Sequence, residues 1–440
     1  MQKPTGELMD KVISLCKRRG YIFQSSEIYG GINSCWDYGP YGVLLKRNIK
    51  YIWWREMTQL HPNIVGFDSA ILMHPDVWRA SGHTENFTDP LVECKNCHHR
   101  FKQDTLTSPV CPDCGGELTK PRLFNLMFKT HIGAVEDEAS TIYLRPETAQ
   151  GIYVNFLNII QSARAKPPFG VAQIGKAFRN EISPGNFTFR TREFEQMEMQ
   201  YFIPPEQSEE MFEYWKQKRM NWYISLGIRA DNLRFREHRK DELAHYAKRA
   251  VDIEYRFPFG WKEVEGIHNR GDFDLKQHSY FSGKELSYFD TQNKRRYTPH
   301  IVETSGGVDR TILVLLLDAY EEEPERVVLK FHPKIAPLTM GVFPLVKREG
   351  MPDIAKKITE NSREFAYPFY DESGSIGRRY RRMDELGTPF CITVDSQTLK
   401  DNTVTIRDRD TMEQIRVSIN DIMKKMRELI KGYERDRGFK

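Results

Sequence analysis

The chemistry of this chain is concentrated in residues 178–198, FRNEISPGNFTFRTREFEQME. Arg179 and Glu181 precede a turn signal, Ser183-Pro184-Gly185-Asn186, and a return run over 187–199 alternates aromatic with charged or polar residues. The pattern predicts a β-hairpin whose alternate side chains reach one face. That face would gather Arg179, Arg190 or Arg192, Phe194, Glu195 and Glu198. Guanidinium forks suit phosphate, an aromatic ring suits a base, and carboxylates suit an amine or a magnesium ion. By itself the stretch also fits a surface hairpin with solvated charges.

A second cluster binds metal by its spacing. Cys94-x2-Cys97 and Cys111-x2-Cys114 are thirteen residues apart, and Gly115-Gly116 follow. Two pairs of thiolates on tight turns match a tetrahedral structural zinc site. His98 and His99 are bystanders in this reading, because four thiolates complete the shell. Cys16, Cys35 and Cys391 are scattered, which is a cytosolic usage of cysteine.

These residues need a frame, and 440 residues suffice for two or three domains. Lys plus Arg number 65 against 61 Asp plus Glu, a net +4, so any anionic partner must be met by local clusters. No run of eighteen apolar residues exists to cross a membrane, and a cytoplasmic protein is expected. A helix is expected over residues 5–20 and another over 46–60, the latter with Trp53, Trp54 and Met57 as packing or a subunit contact. Residues 204–250 read as a helical insertion with a basic second half. An apolar helix from Val308 carries Arg310 on its first turn. Beyond a Pro-containing linker near 332–338, strands and helices alternate, as in a small α/β domain. From 335 to 440 there are 20 basic and 17 acidic residues, net +3, and Arg378, Arg379, Arg381 and Arg382 cluster around Tyr380. Such a cluster suits RNA phosphates and a stacked base, or is a charged helix face.

Thr130-His131-Ile132-Gly133-Ala134 looks like the HIGH signature of class I aminoacyl-tRNA synthetases, but no lysine loop, P-loop or GxGxxG accompanies it. The match is read as chance. The class II pattern is fuller. Phe178-Arg179-x-Glu181 with the returning Arg192-Glu193-Phe194-Glu195 resembles motif 2 of class II aminoacyl-tRNA synthetases. Gly307-Val308-Asp309-Arg310 resembles motif 3, and residues 46–72 stand where the dimer-forming motif 1 would be. WDYGPYG, VWRASGH, NLMF, RPETAQG, FRNEISP, FRTREFEQME, GRRYRRMDELGTPFCITVD and TVTIRDRDTMEQ together resemble the homodimeric glycyl-tRNA synthetase family along the whole chain. Two departures stand out: Thr304 where that family has proline in EPSxG, and Val264 and His268 within WKEVEGIHNRGDFD.

The resemblance implies an α+β catalytic domain with an antiparallel sheet, a small zinc-binding insertion, and a C-terminal α/β anticodon-binding domain. The expected divisions are 1–90 with motif 1, 91–120 for the zinc module, 121–330 for the core with motifs 2 and 3, and 335–440 for the anticodon-binding domain. It implies ATP, glycine and tRNA(Gly) as substrates, magnesium with the ATP, structural zinc, and a homodimer. The implied catalytic residues are Arg179, Glu181 and Arg310. Arg179 would bridge the α-phosphate and the glycine carboxylate, Arg310 would hold the far end of the triphosphate or cover the adenine, and Phe194 would stack beneath the adenine. The ATP site would also draw on Asn180, Phe189, Arg190, Thr191, Arg192, Glu193, Glu263, Val264, Gly307, Val308 and Asp309. For glycine the candidates are Arg100, Glu147, Phe194, Glu195, Gln196, Met197, Glu198, Glu303, Thr304, Ser305, Gly306 and Gly307. Glu147 could equally cap a helix. Magnesium would be held by Glu263 or Glu265 together with Glu303, and tRNA by Arg378, Arg379, Arg381 and Arg382. The rival expectation is a non-catalytic RNA-binding or polymerase-accessory descendant of the fold, which would have lost the motif arginines.

Overall fold

A computed structural model describes residues 6–137, 140–182, 185–244 and 246–436. The expected turn residues Ser183 and Pro184 lie outside the described residues. The centre is a seven-stranded sheet made of β1 (Ile64–Gly66), β2 (Phe169–Phe178), β3 (Glu193–Ile203), β4 (Leu233–Glu237), β5 (Arg249–Phe257), β6 (Gly260–Gly271) and β7 (His300–Gly307). The spatial order is β4-β5-β6-β7-β3-β2-β1. All neighbours are antiparallel except β1 against β2.

One face of the sheet is packed and dry. Helices α1 (Glu7–Arg19), α2 (Pro40–Thr58), α3 (Ser208–Ser225) and α4 (Val308–Ala319) contribute Leu15, Trp53, Trp215 and Leu316 to a single core with Met197 and Met199 of the sheet. Helix α4 is apolar on nearly every side because it is enclosed on nearly every side. Helix α2 begins at Pro40, six residues before the expected start at 46, since proline fits the first helical turn.

The expected helical insertion over 204–250 is corrected. Only Ser208–Ser225 is a long helix, and its Phe212, Trp215 and Tyr223 are buried in the main core. The basic half supplies the edge strand β4 and the start of β5. Its charges are locally balanced, with Arg234 on Glu254, Arg236 on Glu242, and Arg249 on Glu213 and Glu237.

Two smaller units flank the sheet. Residues 88–125 carry a three-stranded sheet (Thr88–Glu93, Arg100–Lys102, Arg122–Asn125) with the cysteines in its turns. The C-terminal unit has a five-stranded mixed sheet of Met340–Pro344, Pro368–Tyr370, Phe390–Val394, Thr403–Asp408 and Gln414–Ser418, with helices Met351–Ser362, Ile376–Glu385 and Ile422–Asp436. The HIGH-like residues run from a short strand, Lys129–His131, paired with Thr141–Tyr143, into the loop that follows it, which is no place for a class I signature. No helix among the described residues is long and apolar enough to cross a membrane.

Candidate active site

The open face of the sheet holds a cleft of about 270 Å³. Period-two alternation decides which residues reach it. Along β3, Phe194, Gln196 and Glu198 line the cleft, whereas Met197 and Met199 are buried on the opposite, core face. This overturns Glu195 and Met197 as cleft residues. Glu195 turns to the packed side, paired with Lys46 at 2.8 Å and Lys50 at 2.5 Å. On β7, Glu303, Ser305, Gly306 and Gly307 line the cleft, whereas Thr304 is buried and does not.

A β-bulge settles the choice between Glu263 and Glu265. Ile253 pairs with Glu265 and Glu254 with Glu263, so Val264 is an extra residue and the alternation slips. Glu263 reaches the cleft, 3.3 Å from Arg310. Glu265 is clasped in the interior by Arg219 through contacts of 2.5 and 3.1 Å, which removes it as a magnesium ligand. Val264 and Val308 are core residues.

The cationic end of the cleft is built at the head of the hairpin. Arg179 donates from Nε to the Pro146 carbonyl at 3.1 Å, and its Cζ lies 5.3 Å from the Phe194 ring centre and 5.4 Å from that of Phe87. Arg310 donates to the carbonyls of Phe189 and Glu263 at 3.0 and 3.2 Å and stands over the Phe189 ring at 4.5 Å. Glu181, Arg190 and Thr191 complete this end. The return run does not continue as a strand: Asn186 and Phe187 adopt left-handed backbone, and Phe187–Phe189 is one 3-10 turn. Three expected contacts lie elsewhere. Asn180 donates its N–H to Leu126, Arg192 holds the Asn33 carbonyl at 2.6 Å, and Glu193 pairs with Lys176. Arg100 is on the cysteine module, 2.9 Å from Glu93, and takes no part in the cleft.

The anionic end gathers Glu147, Glu198 and Glu303, the last two buried and Glu147 partly so. One chain of hydrogen bonds ties them together. Gln200 Nε2 donates to Glu198 Oε1 at 2.7 Å and to Glu303 Oε2 at 2.9 Å. Arg270 donates to Glu303 Oε2 at 2.9 Å and grips Asp274 with two bonds. Gln150 Nε2 links Asp274 to Glu147 Oε1, the latter at 2.8 Å. His268 Nδ1 meets Glu303 Oε1 at 2.8 Å, and His83 Nε2 is 3.5 Å from Glu147. Glu147 is therefore held from its own helix and from His83, and its part in this cluster outweighs that of a plain cap.

Burial and two carboxylate neighbours, Glu303 and Glu147, push the Glu198 carboxyl well above its usual range. Burial opposes ionisation of Glu147 and Glu303 too, yet His83 holds the first below the usual range and Arg270 with His268 the second. The result is a pocket in which two carboxyls favour the anionic form and the third resists ionisation, a resistance that a bound cation would relieve.

Both oxygens of Glu303 are already engaged by His268, Arg270 and Gln200, so it does not fit a magnesium ion. Glu263 is the carboxylate in the cleft that could. The four sulfurs of Cys94, Cys97, Cys111 and Cys114 lie within 4.8 Å of one another. A tetrahedron with metal–sulfur bonds of about 2.3 Å has edges of about 3.8 Å, so small shifts would close it on zinc. A Cβ at Gly116 would stand 3.0 Å from Cys94 Sγ and 3.2 Å from Cys114 Sγ, which is why a glycine follows the last cysteine pair.

Sequence reading missed Thr188, His238, Tyr246, Asp252, Gly266 and His268, which also line the cleft. His238 and Tyr246 were hidden in the basic run. His268 carried a signal, as a histidine between Gly266 and Arg270 on a cleft strand. The expected tRNA cluster splits in two. Arg379 is buried, donating to the Pro344 carbonyl at 2.6 Å, and Arg382 is engaged by Asp371, whereas Arg378 and Arg381 face outward.

An antiparallel sheet with an arginine at the head of its central hairpin and another opening an apolar helix defines the class II aminoacyl-tRNA synthetases. A family profile described as tRNA synthetase class II core domain (G, H, P, S and T) matches residues 128–319, and one described as Anticodon binding domain matches residues 335–429. The chain is 57% identical to a glycine–tRNA ligase of Treponema denticola, over 97% of this chain and 98% of that protein. It is 55% identical to one of Borrelia hermsii, over 97% and 98%. Identity to one of Treponema pallidum is 51%, over 97% and 100%. The chain belongs to the glycine–tRNA ligase family.

Proposed function

We infer that this protein joins glycine to tRNA(Gly) at the expense of ATP. The observation that carries this is a cleft with two arginines at one end and a tied set of three carboxylates, two of them buried, at the other. Glycine is a zwitterion that must be gripped at both ends. In the first step a glycine carboxylate oxygen attacks the α-phosphorus, the bond to the β-phosphate oxygen breaks, and pyrophosphate leaves. Two anions must meet, so charge neutralisation and alignment dominate. Arg179 faces the carboxylate and α-phosphate, Arg310 the rest of the nucleotide, and Phe194 offers its ring to the adenine. The ammonium goes to Glu147, Glu198 and Glu303, with Ser305 beside them. In the second step the terminal ribose hydroxyl of the tRNA attacks the glycyl carbonyl and AMP leaves.

Magnesium bound with ATP supplies positive charge to the phosphates, and Glu263 is the residue that would hold it. Zinc in the four-cysteine module is structural in this reading, since four thiolates leave no open position. The C-terminal unit presents Arg378 and Arg381 to the tRNA. A homodimer is proposed because Ile28, Tyr29 and Tyr51, near and on α2, are 89%, 87% and 62% exposed, an apolar surface that a second copy would cover. Light scattering should give the mass of two chains. The cytoplasm is the proposed location, where the substrate tRNA is and where Cys16, Cys35 and Cys391 would stay reduced. No observation favours a non-catalytic descendant. The reading is tested by glycine-dependent exchange of pyrophosphate into ATP, which a non-catalytic protein would not perform.

A further inference from the structure

The four-cysteine module is rooted in the active site. Its first and last strands close on each other at Thr88 and Asn125, so its two ends are Phe87 and Leu126, and the Leu126 N–H donates to the Phe87 carbonyl at 3.0 Å. Each end touches the head of the hairpin. The Phe87 ring centre is 5.4 Å from Arg179 Cζ. The Leu126 carbonyl accepts the Asn180 N–H at 2.7 Å. Asn125 ties the same root to the carbonyls of His83 and Thr84, both at 3.0 Å.

An arginine on a strand end has four flexible bonds, and its pose decides whether it stabilises a transition state. The Pro146 carbonyl and two aromatic rings hold the guanidinium plane of Arg179. Phe194 comes from the next strand of the sheet. Phe87 stands at the root of the module, where the helix His83–Asn86 ends and the module's first strand begins.

We propose that Phe87 is a positioning residue for Arg179, and that the four-cysteine module is the frame that holds Phe87 in place. The ring favours one guanidinium orientation through cation–π contact and excluded water, and the module keeps the ring from swinging away. The proposal rests on the assignment of Arg179 to adenylyl transfer from ATP to glycine made above.

The test uses the full-length, zinc-replete protein with Phe87→Ala, Phe87→Leu and Phe87→Tyr. Pyrophosphate exchange gives kcat, aminoacylation gives KM for tRNA, and elemental analysis gives zinc. For Phe87→Ala and Phe87→Leu, kcat of exchange should fall about tenfold or more, as for a mispositioned transition-state contact. KM for tRNA and zinc content should be unchanged, and Phe87→Tyr should stay within about threefold of the parent because it keeps the ring. Phe87→Leu keeps apolar bulk and covers the case in which alanine does not fold. Exchange above half the parent rate in Phe87→Leu would overturn the proposal, as would zinc loss in step with activity, which would assign the effect to module folding. A parent protein silent in exchange would refute the proposed function itself, whereas an active parent with unaffected variants refutes only the role of Phe87.

Discussion

The backbone N–H of Glu195 donates to the Asp309 carboxylate at 2.8 Å, so the strand that carries Phe194 is bolted to the helix that carries Arg310. The other Asp309 oxygen receives Tyr38 and, at 3.0 Å, Lys46. Asp309 is thus the joint between the strand of Phe194 and the helix of Arg310, and its neighbour in sequence is that arginine.

Asp309→Ala should therefore leave a buried N–H and Lys46 short of a partner. A loss of about 3 kcal/mol in denaturant unfolding is expected, with exchange activity falling further than stability alone explains. Asp309→Asn keeps an acceptor and should lose less. Equal effects of the two substitutions would contradict the joint.

Glu198 makes a pH prediction whose sign is fixed. Its carboxyl is pushed up in the fold, so its contribution to stability is fully present below the unfolded value near 4.3 and is lost as pH rises through the folded value. Glu198→Gln stays neutral and keeps the shape. It should stabilise the ligand-free protein relative to the parent, by a margin that grows as pH rises above about 5. Thermal unfolding from acid to alkaline pH checks this. A margin independent of pH would contradict it.

Much of this was legible in the sequence. The hairpin, the cysteine module and the apolar helix of Arg310 announced themselves through spacing and alternation. What alternation could not give was its own phase. Which of Glu195 and Gln196 faces the cleft depends on where β3 begins, and the left-handed backbone at Asn186 and Phe187 delays that start to Glu193. The same limit applied to Glu263 and Glu265, whose phase is reversed by a bulge at Val264 that no local composition marks. His83 and Phe87 were invisible as site residues because the groups they meet in the site, Glu147 and Arg179, are distant from them in sequence. In the basic cluster, Arg379 looks like its neighbours and is separated from them only by the helix face on which it falls.

That difference predicts two phenotypes. Arg378→Ala with Arg381→Ala should raise KM for tRNA and reduce its salt dependence by about two phosphate contacts, leaving pyrophosphate exchange alone. Arg379→Ala should destabilise the C-terminal unit. A loss of exchange in the double variant would contradict the assignment.

Zinc removal should act on the module first. Chelation under mild denaturant should release about one zinc per chain and lower the thermal midpoint, since metal binding there is folding free energy. A chain that keeps its midpoint after complete removal would contradict a structural role.

The central claim is that the two arginines and three carboxylates form one site for activating glycine. Glycine-dependent pyrophosphate exchange into ATP, compared between the parent and Arg179→Ala, tests it most directly. The parent should exchange only when glycine is present, and the variant, folded by circular dichroism, should lose about a hundredfold or more in rate. Exchange that ignores glycine, or that survives Arg179→Ala, would contradict the account.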